Sequence, residues 1–122
     1  MKPIIKDVIH FYRVESLEQT KVFYQDILGF SLYKDQGKCL IFDTGGHGKI
    51  GFCTHFPNAT QEQSCITLVL DSINAVDDLY QALEKTIKTI DKPAMNHVFK
   101  IYHFFFKDFE GITLEAQTFK VD

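Results

Sequence analysis

A chain of 122 residues, 45% hydrophobic and 24% charged, has the size and balance of one globular domain able to bury a core. Its net charge of −3 offers no basic footprint for nucleic acid, so a nucleic-acid partner is not expected. No apolar run approaches the ~20 residues of a membrane helix, and the opening MKPIIKDVIH lacks the apolar stretch and cleavage site of a secretory signal.

Taken in order, Ile4 to Val14 is an extended, β-rich run. Ser16 and Gln19 then form an S-x-x-Q capping box, and Leu17, Phe23, Tyr24, Ile27 and Leu28 share one helical face up to the stop at Gly29. Strands are predicted over Phe30 to Lys34, Lys38 to Asp43 and Lys49 to His55, separated by Gly37 and by Gly45-Gly46-His47-Gly48. The glycine cluster is read as a turn rather than a phosphate cradle, because no Lys-Ser/Thr follows and a strand, not a helix, comes next. Pro57 to Ser64 is polar and reads as a connection.

The pattern then restarts. Ile66 to Leu70 is a predicted strand, Asp71-Ser72 leads into a helix running to about Thr86, and a short strand is placed near Ala94 to Val98. The aromatic run Ile101 to Phe106 reaches a tight turn, Asp108-Phe109-Glu110-Gly111, in which Gly111 supplies backbone freedom. Beyond it Ile112, Leu114 and Ala116 alternate with Thr113, Glu115 and Gln117, which sets the Glu115 carboxylate on the face opposite Leu114. A carboxylate facing inward must bind something or be paired, since burying it alone is costly.

The restart is an internal repeat. Ser16 and Ser72, Tyr24 and Tyr80, and Gln25 and Gln81 are each separated by 56 residues, and the interval from Thr44 to Gly51 equals that from Asp108 to Glu115. Each half reads strand, helix, strand, strand, strand, with modules over residues 1–57 and 64–122 of a single domain, 1–122. Cys39, Cys53 and Cys65 are odd in number and have no CxxC spacing, and are read as free thiols of a cytoplasmic protein.

Val14-Glu15-Ser16-Leu17, then Phe23-Tyr24, then Leu28-Gly29-Phe30 resembles the first-helix signature of the glyoxalase/bleomycin-resistance/dioxygenase (vicinal oxygen chelate) family, with Ser16 in place of the usual Asp. Asp108 to Gly111 followed by Glu115 is similar to that family's closing hairpin, with Phe109 in place of Pro. The resemblance implies an α+β fold of two tandem βαβββ modules whose sheets curve around a cleft, and a homodimer. In metal-dependent members four inward positions hold the ion, and alignment places them at Ile9, Gly51, Cys65 and Glu115. Ile9 and Gly51 have no donor atom, and open metal sites need about three protein ligands, so the usual site is read as absent and no cofactor is expected. His10 lies one residue from the first position, which turns it to the opposite face and makes packing its expected role.

The remaining cleft candidates are Phe11, Arg13, Ile41, Cys53, His55, Thr67, Val69, His103 and Phe105, an aromatic-lined groove with Arg13 and Glu115 as polar anchors. Arg13 either clamps an anionic group or pairs with Glu115. The face of the strand before Asp108 is open, with Phe105 and His103 favoured inward over Phe104 and Phe106. Cys65 is read as a small buried hydrophobe rather than a nucleophile. Three functions stay open: a metal-independent binder of a hydrophobic or aromatic small molecule, as bleomycin-resistance proteins are; an enzyme with a metal relocated among His55, Cys65, His103 and Glu115, or with Glu115 as general acid/base; or a dimer whose cleft its own side chains fill.

Overall fold

The computed structural model describes residues 4–55 and 64–122, so most of the expected connection after Pro57 lies outside the described residues. The chain forms two compact units, Met1–Gln61 and Glu62–Asp122. The first contains β1 (Ile9–Arg13), a helix, β2 (Ser31–Asp35), β3 (Cys39–Asp43) and β4 (Lys49–Cys53). The second contains β5 (Ile66–Val69), α2 (Ile73–Leu83), β6 (Ala94–Asn96), β7 (Ile101–Lys107) and β8 (Thr113–Thr118). The sheets have matching orders, β1-β4-β3-β2 and β5-β8-β7-β6, with β1·β4 and β5·β8 parallel. This is the α+β architecture of two βαβββ modules.

The repeat extends to register. Ile41 lies opposite Gly51, and Phe105 lies opposite Glu115. Phe11 pairs with Gly51 as Thr67 pairs with Glu115. The two hairpin loops are closed alike, Thr44 N–H to the Gly48 carbonyl at 3.2 Å and Asp108 N–H to that of Ile112 at 3.0 Å. In the second, the buried Asp108 carboxylate also accepts from the N–H groups of Glu110 and Ile112, both at 2.8 Å, while Gly111 takes a positive φ of 84°. In the first, Asp43 Oδ1 accepts from the N–H groups of Gly45 and Gly46, so these amides are spent within the turn.

The first helix departs from the expected continuous α-helix. Ser16 caps it by accepting from the Gln19 N–H at 3.1 Å, and α1 (Leu17–Lys21) is α-helical, but Val22–Ile27 is wound as a π-helix. Leu28 N–H accordingly reaches five residues back to the Phe23 carbonyl. The wider turn accompanies the burial of two consecutive aromatics, Phe23 and Tyr24, both fully enclosed. Tyr24 sits 4.3 Å from Phe52 and 6.1 Å from Phe42, ring centre to ring centre. Each buried aromatic of this cluster contributes about 1.5–3 kcal/mol. In the second unit Ser72 caps α2 through the Ala75 N–H, and Val76 and Leu83 are buried, as are Phe104, Phe106, Leu114 and Ala116 on the sheet. Tyr102 is tied to α2 by donating to Asp77 at 2.6 Å. Among the described residues no helix is long and apolar enough to cross a membrane.

Candidate functional site

Alternation along β5, β7 and β8 separates two faces. Leu114, Ala116, Phe104 and Phe106 are buried. The other face carries Thr67, Val69, His103, Phe105, Glu115 and Gln117. The long aromatic strand is thus divided, with Phe104 and Phe106 1% exposed and Phe105 39% exposed. His103 and Phe105 share the face of Glu115 and meet edge-to-face at 5.3 Å.

Glu115 is the centre of this face. One carboxylate oxygen accepts from the Thr67 hydroxyl at 2.9 Å, and the other lies 2.7 Å from His103 Nδ1. The Gln117 amide, oriented to donate, reaches both oxygens at 3.1 and 3.2 Å. The Glu115 and His103 side chains are 12% and 16% exposed, so the hydrogen bond between them acts with little screening by water, whereas the one from Thr67 is exposed. His103 Nε2 has no hydrogen-bond partner among the described residues. Cys65 Sγ lies 3.9 Å from Thr67 Oγ1. Partial burial raises the Cys65 thiol pKa, the Thr67 contact opposes this, and the Glu115 charge adds to it. A thiol held protonated is a weak nucleophile and a weak metal ligand.

The first unit has no such carboxylate. The position equivalent to Glu115 is Gly51, and a Cβ built there would overlap the Phe11 ring, standing 3.1 Å from Cζ and closer still to Cδ1 and Cε1. Phe11 therefore fills the space where the family's side chain would project. Ile9 is half-buried hydrocarbon, and Ile41 is buried opposite Gly51. The residues at these positions do not fit a metal: two have no donor and one is a thiol whose pKa is raised, which leaves a single carboxylate.

Arg13 forms an ion pair with Glu15, Nη1 to Oε1 at 2.6 Å, two residues along the chain. Cys39 and Cys53 are not free thiols. The antiparallel register sets them directly opposite, with Cα atoms 4.2 Å apart, and they are disulfide-bonded. Sequence spacing missed this because the pair is made by a hairpin and not by a local CxxC loop. His55, two residues beyond Cys53, places Nδ1 3.6 Å from Cys39 Sγ. Cys65 is the one free cysteine, and it is exposed rather than buried as expected. Gln117 went unnoticed as a site residue although it shares Glu115's parity.

Solved structures of similar fold include an integron cassette protein from the mobile metagenome of the Halifax Harbour sewage outfall, with 22% identity, 94% of this chain and 99% of that one covered, and a TM-score of 0.78. Lactoylglutathione lyase from Agrobacterium tumefaciens shares 16% identity over 98% of this chain and 97% of its own, with a TM-score of 0.77. The genomically encoded fosfomycin resistance protein FosX from Listeria monocytogenes shares 16% over 97% and 94%, with a TM-score of 0.77. No curated protein matches significantly. The family model described as Glyoxalase/Bleomycin resistance protein/Dioxygenase superfamily matches residues 7–116, across both units. The chain belongs to the Glyoxalase/Bleomycin resistance protein/Dioxygenase superfamily.

Proposed function

We propose that this chain binds a small hydrophobic or aromatic molecule on the Glu115 face of its second unit, without a metal at the family's ligand positions. The observation that carries this reading is the Glu115 carboxylate, which accepts from Thr67, His103 and, on the donating orientation of its amide, Gln117. Both of its oxygens are met by protein donors. Beside it Phe105 and Val69, 39% and 61% exposed, supply apolar surface. An apolar surface with a few convergent polar groups is the usual make-up of a small-molecule site. The working form is taken to be a homodimer.

A thermal-shift screen of aromatic and aliphatic compounds tests the reading. At least one compound raises Tm in the wild type and not in Phe105→Ala or Glu115→Gln. Stabilisation indifferent to both substitutions, or none across the screen, contradicts it.

A second reading is supported by one contact. His103 Nδ1 at 2.7 Å from Glu115 is the arrangement in which a carboxylate orients an imidazole, and it leaves Nε2 to exchange a proton with a bound compound. This reading predicts solvent deuterium entering an acidic C–H position of a bound compound, and loss of that exchange in His103→Gln.

A further inference from the structure

The Cys39–Cys53 disulfide and His55 form a cluster that the proposed ligand site does not use. The three candidate ligand atoms, Cys39 Sγ, Cys53 Sγ and one imidazole nitrogen, all lie within 4.8 Å of one another. The thiols come from opposed positions on β3 and β4, so a rigid ladder holds them on one side of the sheet. Cys39 and Cys53 are 6% and 1% exposed, whereas His55 is exposed and provides the approach from solvent.

We propose that Cys39, Cys53 and His55 constitute a thiol-dependent site for a thiophilic cation of the zinc type, closed by the disulfide and opened by its reduction. Zinc binds sulfur at about 2.3 Å and imidazole nitrogen at about 2.0–2.1 Å in a tetrahedron, which sets neighbouring ligand atoms roughly 3.5–3.8 Å apart. The 3.6 Å between Cys39 Sγ and His55 Nδ1 already matches one edge. Breaking the S–S bond lets the two sulfurs relax to the Sγ–Sγ edge by small side-chain rotations, and the third edge, from Cys53 Sγ to the imidazole, already lies within 4.8 Å. Two thiolates and an imidazole leave the fourth position to water, as in open zinc sites.

The chemistry balances. A dithiol reductant delivers two electrons and two protons, the S–S bond breaks, and two protein thiols form as the reductant becomes a disulfide. The cation then displaces both thiol protons, which pass to solvent. In the reverse direction an external disulfide accepts two electrons and two protons to become two thiols, the protein S–S bond re-forms, and the cation leaves.

The test uses the full chain, oxidised or reduced, with thiols counted in each, and Co²⁺ as the spectroscopic probe for zinc. The reduced protein should show three thiols against one in the oxidised form, bind one equivalent of Co²⁺ with a thiolate-to-metal charge-transfer band, and lose that band to Zn²⁺. The oxidised protein should show no band. Cys53→Ser should abolish it, and Cys65→Ser should keep it. His55→Ala removes an exposed side chain without opening the core, and should weaken Co²⁺ binding by at least the about tenfold that even an outer-shell partner costs. A fully reduced protein with no charge-transfer band, or a band of unchanged affinity in His55→Ala, overturns the proposal.

Discussion

Phe11 stands over Gly51 in the first unit where Thr67 donates to Glu115 in the second. The paired positions are repeat equivalents, Phe11 to Gly51 and Thr67 to Glu115, so one strand pair is used twice with opposite chemistry. An aromatic ring on a glycine is an apolar filling. A hydroxyl on a carboxylate is a polar cluster.

The filling is testable by a double-mutant cycle. Gly51→Ala should destabilise the wild type by about 1 kcal/mol, because the added methyl displaces the Phe11 ring. In a Phe11→Ala background the same change should be neutral or stabilising by about 0.4–1 kcal/mol, since alanine restricts the unfolded chain more than glycine. Equal effects in both backgrounds, measured by urea unfolding, would show that the two positions are not coupled.

Glu115→Ala should cost more than an exposed substitution. It leaves the part-buried His103 imidazole without its carboxylate partner, a loss of about 1–3 kcal/mol, while the exposed Thr67 hydroxyl turns to water. Glu115→Gln, which keeps shape and one acceptor, should recover most of that stability without recovering ligand binding. Chemical denaturation of the two variants side by side checks the split.

Asp108→Ala should act on folding and not on ligand recognition. It removes the acceptor for two backbone N–H groups in a buried turn, a cost of about 1–3 kcal/mol. Asp108→Asn, retaining an acceptor oxygen, should cost less. A Tm drop with undiminished ligand affinity below the new Tm is the expected result.

Alkaline stability should report on Tyr102. Its hydrogen bond to Asp77, then burial, then the Asp77 charge raise its pKa above the ordinary 10.0. The folded state therefore favours the protonated phenol. That stabilisation is fully present below 10.0 and is lost as pH rises through the raised folded value. Tyr102→Phe should be less stable than wild type at neutral pH and should lack this component of alkaline destabilisation, as seen in Tm against pH.

The two βαβββ modules were legible because the repeat is written twice, in the caps Ser16 and Ser72 and in turns that return at the same interval. The placement of Glu115 on the face opposite Leu114 was legible from their alternation. The π-helical turn was not, since Phe23-Tyr24 fits an α-helical face on paper and its winding depends on tertiary burial of both rings. The disulfide was not, because it needs the β3–β4 register. Arg13's ion pair with Glu15 was not foreseen, although proximity in the chain lowers the entropic cost of such a pairing. Gln117 was missed as a bulk polar residue although its position two beyond Glu115 fixes its face.

The central claim is that ligand binding rests on the Glu115 cluster and requires no metal. Isothermal calorimetry with the strongest compound from the screen tests it, using chelator-treated wild type, untreated wild type and Glu115→Gln. The account predicts equal affinity with and without chelator, and weakening by about tenfold or more in Glu115→Gln, the loss of a charge-assisted contact. Binding that vanishes with chelator and returns with added metal, or that ignores Glu115→Gln, would contradict it.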